Sequence, residues 1–227
     1  MHSTTGLFTA VAVMAGSFSL AAQNPQLHTP RVRRFPTVLF TSVLWSADPA
    51  YYSIALDSSG TATYESLPAS VGIDGVPYTM EFQVSDRTRR IAFHLAQGLN
   101  FFSGLKGEAL PPAQTSRVRT LAYIDTTLNN QFTYGAPSSP DLEEITSVFE
   151  DISETFESGR RLAYFQQHEK GAVAPELDRL ETRTKRRRMR EFQALTPILR
   201  GLAEDRTLAA DVRNQAEKLL KLADGGR

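Results

Sequence analysis

From Ser138 to Gly171 the chain reads SSPDLEEITSVFEDISETFESGRRLAYFQQHEKG, and one regularity in it limits the fold more than anything else. Leu142, Ile145, Phe149, Ile152, Phe156, Gly159 and Ala163 follow one another at steps of three and four residues without a miss. That period belongs to one face of an α-helix. Ser139 supplies an N-cap, Pro140 suits the first helical position, and Asp141, Glu143 and Glu144 lie against the positive end of the helix dipole. A long helix with a single apolar stripe has to bury that stripe, so the rest of the chain must provide a surface for it.

Strands upstream provide that surface. In YYSIALDSSGTATYES, Tyr52, Ile54 and Leu56 alternate on one side, Ser58-Ser59-Gly60 turns the chain, and Ala62 and Tyr64 resume the alternation, which is a β-hairpin. A second turn is expected at Asp74-Gly75. It leads into PYTMEFQVS, with Tyr78, Met80, Phe82 and Val84 inward and Thr79, Glu81, Gln83 and Ser85 outward. TVLFTSVLW reads as an earlier strand, while RVRTLAYID and QFTYG form a further hairpin closed by Thr126–Asn130. Ser85 caps a shorter helix whose stripe is Ile91, Leu95, Leu99 and Phe102. After a break at Gly171–Ala174, Pro175 opens another helical stretch, Thr196-Pro197 restarts it, and Thr207 to Ala223 forms a last helix.

The expected class is therefore α+β: a mainly antiparallel sheet with one inserted helix and one long helix, followed by a helical C-terminal tail. The expected division is a signal peptide over 1–22, an extended leader over 23–37, an α+β domain over 38–170 and a helical extension over 171–227.

Composition narrows the partners. With 25 basic and 25 acidic residues the formal net charge is zero, so nucleic acid or anionic lipid would need a local patch. The chain has no cysteine, which removes disulfides, thiol catalysis and zinc–thiolate sites. The uncharged, largely apolar run Gly6–Ala22 ends in small residues suited to signal peptidase and is shorter than the roughly 20 residues of a membrane span. It predicts an exported protein, periplasmic or extracellular, with no transmembrane segment once the signal is cleaved.

The loudest local signal is TRTKRRRMR, residues 182–190. On a helix, Arg183, Arg186, Arg187 and Arg190 share an arc of about 100°. These four are the candidate contact for a partner or an anionic envelope surface. Export and the lack of base-reading side chains argue against nucleic acid. An internal partner also exists, because Asp141 to Glu157 carries seven acids and no Lys or Arg. A turn at 171–174 would place Arg187 near Ser158 and Arg190 near Thr155, with Glu154 and Glu157 facing the basic run.

Catalytic signatures are sparse. The sequence holds no HExxH zinc motif, GxSxG elbow, Walker loop, dinucleotide fingerprint or calcium loop, so no cofactor, metal or catalytic residue is assigned. His94 reads as a boundary residue of the shorter helix, and His168 belongs to a polar helix end. Tyr78 and His94 are the candidate ligand surface if polar groups of loop 103–116 converge on them. The strand tyrosines fit cross-strand packing and also offer a stacking face.

From Tyr51 to about Leu220 the chain resembles a group of exported bacterial proteins of unknown function, through YYSIALDSSGTATYES, PYTMEFQVS, GLNFFSG, FEDISETFESGRRLAYF and ALTPILRGLAED. The resemblance implies a sheet with one helix inserted between its strands and a long helix after it, and it brings no activity or site. The functional expectation is a non-catalytic interaction or structural protein of the envelope or periplasm. A small-ligand binder or enzyme using loop 103–116, and an envelope contact through the Arg183–Arg190 face, are the alternatives.

Overall fold

The computed structural model describes residues 35–68, 76–106, 116–186 and 189–224, all within one compact unit, Arg33–Arg227. Among the described residues there are six strands: β1 (Thr37–Val43), β2 (Tyr51–Asp57), β3 (Thr61–Leu67), β4 (Tyr78–Gln83), β5 (Val118–Ile124) and β6 (Asn129–Tyr134). They form one antiparallel sheet in the order β4-β3-β2-β1-β5-β6. The chain meanders from β1 out to β4, then returns through α1 (Asp86–Gly98) to set β5 on the other side of β1.

The alternation in the sequence fixes which face is buried. Met80, Tyr64, Ile54, Phe40, Leu121 and Phe132 stand side by side across all six strands. A slip of one residue in any strand would turn its member of this row to the other face. The next row toward one end of the strands is different in kind: Tyr78, Ser66, Tyr52, Ser42, Arg119 and Tyr134. Hydroxyls and one guanidinium replace hydrocarbon there, and that end carries the cleft described below.

Both α1 and the long helix α2 (Pro140–His168) cover this face. The Phe149 ring stacks on Phe40 at 5.2 Å, and Phe156 lies 5.2 Å from Tyr64 and 4.4 Å from Phe82. Near its start α2 is tied to β6, where the Tyr134 and Thr146 hydroxyls are 2.6 Å apart. The helix thus crosses the sheet from β6 toward β4. Burying a side chain such as Phe149 completely contributes about 2–3 kcal/mol and explains why the apolar stripe runs unbroken over four turns.

The caps appear where the sequence places them: Ser85 Oγ accepts from Thr88 N–H, and Ser139 Oγ from Leu142 N–H. Asp57 Oδ1 accepts from the backbone of Ser59 and Thr61 around the β2–β3 turn, where Gly60 takes φ +94°, a conformation that favours glycine. Past α1 the chain reverses hand: Asn100, Phe101 and Phe102 all have φ between 51° and 66°, held by burial of Phe102 and by Phe101 against Tyr123. The expected turn at Asp74-Gly75 and residues 107–115 of loop 103–116 lie outside the described residues.

α2 outruns the sheet. Its last turns join α3 (Val173–Lys185), α4 (Thr196–Glu204) and α5 (Ala210–Asp224) around a second core of Leu162, Val173, Leu177, Leu180, Leu199 and Leu219. α3 begins two residues before Pro175, and α5 begins three after Thr207. At the latter point Asp205 Oδ1 accepts from the Thr207 N–H and hydroxyl, a side-chain turn that competes with helix.

The helical face expected over Arg183–Arg190 is not present as one face, because α3 ends at Lys185 with Arg186 as its cap residue. Val173, Leu177 and Leu180 are the stripe that holds α3 down, and the following turns offer cations without an apolar residue in step. Beyond them Glu191 takes φ 56° and directs the chain to Phe192–Leu195, which packs again.

A charged cleft between sheet, long helix and α3

Where the polar row of the sheet meets α2 and α3, the surface opens into a cleft of about 780 Å³. The β1–β2 connection contributes Asp48, β2 contributes Tyr52, the residue before β5 contributes Arg117 and β5 itself contributes Arg119. On the opposite side α3 contributes Arg179 and Arg183, spaced i and i+4, and its cap residue Arg186 follows them. Between these two basic banks runs the acidic ridge of α2, with Glu150, Glu154 and Glu157 spaced i, i+4 and i+7.

The ridge is bonded from both sides. Arg119 reaches Glu150 at 2.8 Å, Arg183 reaches Glu154 at 3.3 Å, and Arg161 bridges Glu154 at 3.1 Å and Glu176 at 2.9 Å. Glu176, in the first turn of α3, is 2% exposed and also takes Arg179 at 2.6 Å. Burial opposes the Arg161 charge, but Glu176 and Glu154 outweigh it and its pKa stays raised.

Glu157 turns away from α3 and into the sheet. Its Oε1 accepts from Tyr64 Oη at 2.8 Å and Ser66 Oγ at 2.7 Å, while Oε2 accepts from Arg160 Nε at 2.7 Å. Burial, reinforced by the Glu157 charge, holds the Tyr64 phenol well above its ordinary range. Burial also pushes Tyr52 up to about 12, with Glu150 adding to the rise and Ser42, Arg117 and Arg119 opposing it.

Of the four arginines of the sequence expectation, Arg183 and Arg186 line the cleft together and Arg190 is not among its lining residues. Arg183 is ion-paired in the cleft, Arg186 is exposed at its rim, and Arg187 lies outside the described residues. Among the described residues Arg190 has no ion-pair partner, its Nε is buried without a hydrogen bond, and its carbonyl accepts from Thr155 Oγ1 at 2.7 Å. The expected neighbourhood of Arg190 and Thr155 is therefore present, made by backbone instead of by a helix face. Glu154 meets the basic run as expected. Glu157 does not, because its position on α2 faces the sheet hydroxyls.

The loop residues 107–115 expected to converge on Tyr78 and His94 lie outside the described residues. Tyr78 sets its ring edge against Tyr64, and His94 is on the exposed side of α1. His168 ends α2 with its ring 4.8 Å from Tyr164. Sequence reasoning missed Arg117, Arg119, Arg161 and Arg179, whose spacing carries no motif. Only the strand period, which puts Arg117 and Arg119 on one face with Leu121 and Tyr123, signals any of them.

Among the described residues no group of three or more His, Asp or Glu is placed to hold a metal ion, and no helix is long and apolar enough to cross a membrane. Compared with known proteins, the chain matches no family model, and no curated protein matches it.

Proposed function

We propose that this is an exported, non-catalytic interaction protein of the cell envelope or periplasm, which takes its partner in the charged cleft. The observation that carries the reading is the state of the buried carboxylates: Glu157 and Glu176 each have both oxygens fixed by side-chain donors. A general acid or base must exchange its proton with a substrate, and carboxylates held this way are built to keep a shape. What remains open is a rigid concave surface with cations at its rim, and that suits recognition. Export rests on the apolar N-terminal run and on the resemblance to exported bacterial proteins.

The test is capture of an envelope component on immobilised protein, compared across two variants. R183E/R186E at the cleft is expected to abolish capture, while Thr63→Glu on the opposite face of the sheet leaves it intact. Equal capture by both variants would remove the cleft from the proposal. Fusing residues 1–34 to a reporter active only outside the cytoplasm tests export, and a silent reporter would count against it.

A further inference from the structure

Cations and anions are equally common around the cleft, and those along the α2 ridge are paired with one another. The ridge carboxylates Glu150, Glu154 and Glu157 all face a guanidinium at 3.3 Å or closer. Two of the lining arginines have no carboxylate among the described residues. Arg117 donates to the Ser42 hydroxyl at 2.9 Å and forms no ion pair there, and Arg186 is exposed with no side-chain partner among them. A guanidinium carries five N–H donors in a rigid plane, so the unused bonding capacity of these two is cationic and directional.

We propose that the cleft binds an extended acidic segment of a partner polypeptide, with its carboxylates on Arg117 and Arg186. This rests on the reading of the cleft as a recognition surface and names what it recognises. Two features favour a peptide carboxylate. A carboxylate matches the planar, two-point geometry of guanidinium and carries a single charge. The two guanidiniums sit on different elements, one just before β5 and one at the end of α3, so a chain spanning the cleft serves both. Along α3 to its cap residue, the arginines from Arg179 to Arg186 span about 10 Å, which an extended segment covers in about three residues.

Fluorescence anisotropy with a labelled hexaglutamate peptide tests this at low ionic strength, beside its hexaglutamine twin and with polyphosphate as competitor. Saturable binding of hexaglutamate is expected, with the glutamine peptide at least about tenfold weaker, and each of Arg117→Gln and Arg186→Gln costing about tenfold. The exposed position of Arg186 makes R186Q a variant that keeps the fold, so its result stands even if R117Q disturbs Ser42. No saturable binding, unchanged affinity in R186Q, or displacement by polyphosphate at a lower concentration than by free hexaglutamate would each overturn the proposal. If hexaglutamate fails while envelope capture still depends on Arg183 and Arg186, only the ligand class falls. If both fail, the reading of the cleft falls with it.

Discussion

Glu157 is where two layers of the molecule are joined through one side chain. Its carboxylate is 1% exposed and links α2 to β3 through Tyr64 and Ser66, while Arg160 balances its charge. Glu157→Gln keeps the shape but sets an amide N–H₂ against a donor and leaves Arg160 without its nearest anion. Breaking a buried pair of this kind costs about 3 kcal/mol, so Tm should fall by roughly 6–12 °C. A variant as stable as the parent would mean the network is incidental. Tyr52 gives a prediction in pH. Its phenol is raised to about 12 in the folded chain, above its value near 10 when unfolded, so the stability tied to it is complete below pH 10 and is lost as pH rises toward 12. Its share is up to about 3 kcal/mol, since each tenfold weakening of the acid on folding is worth about 1.4 kcal/mol. Urea unfolding at pH 9 and pH 11.5 should show a smaller alkaline loss in Tyr52→Phe than in the parent. Parallel losses would refute that assignment.

At the scale of elements, α1 and the segment after α3 are fastened to each other far along the chain. Ser85, the α1 cap, donates its N–H to Glu191 at 2.8 Å and its hydroxyl at 2.9 Å, and Gln193 holds the same carboxylate at 2.6 Å. Glu191 is 5% exposed and adopts a left-handed backbone that a non-glycine residue takes only when its surroundings demand it. A double-mutant cycle of Ser85→Ala and Glu191→Gln should give a coupling of roughly 1 kcal/mol, and strict additivity would show the contact to be idle. Ser85 was legible as a cap in the sequence because capping is local. Glu191 was not, because it lies over a hundred residues from its partner and its backbone angle answers to tertiary packing. The same division separates the strands from the cleft. Alternation revealed Tyr52, Tyr64 and Tyr78 as one buried face, and the three–four period revealed α2. The basic bank beside β5 was legible only as same-face strand positions, since Arg117 and Arg119 come to line one cleft with α3 only through the strand order. The arginine run departs from its expected helical face for a related reason: after Leu180 no apolar stripe remains to keep the helix going, and α3 ends at Lys185.

At the scale of the molecule, α2 makes the expected boundary at residue 170 porous. Its first turns belong to the core over the sheet and Leu162 to the core of the C-terminal helices, so neither core can lose its packing without releasing part of a helix the other needs. The Glu154–Arg183 pair, Thr155 on the Arg190 carbonyl and the Glu191 clasp lie along the same seam. The two cores should therefore unfold in one transition. The chain's one tryptophan, Trp45, sits in the β1–β2 connection and reports on the sheet, while helical ellipticity draws heavily on α3, α4 and α5. Urea curves followed by the two signals should superimpose. Leu199→Ala, placed wholly in the C-terminal core, removes about 2–5 kcal/mol and should lower both midpoints together. If ellipticity fell first and Trp45 fluorescence stayed at the parental midpoint, the C-terminal helices would be a separately folding attachment. The arginine bank of α3 would then be free to move against Arg117, and the cleft could not hold the fixed spacing that its proposed ligand requires.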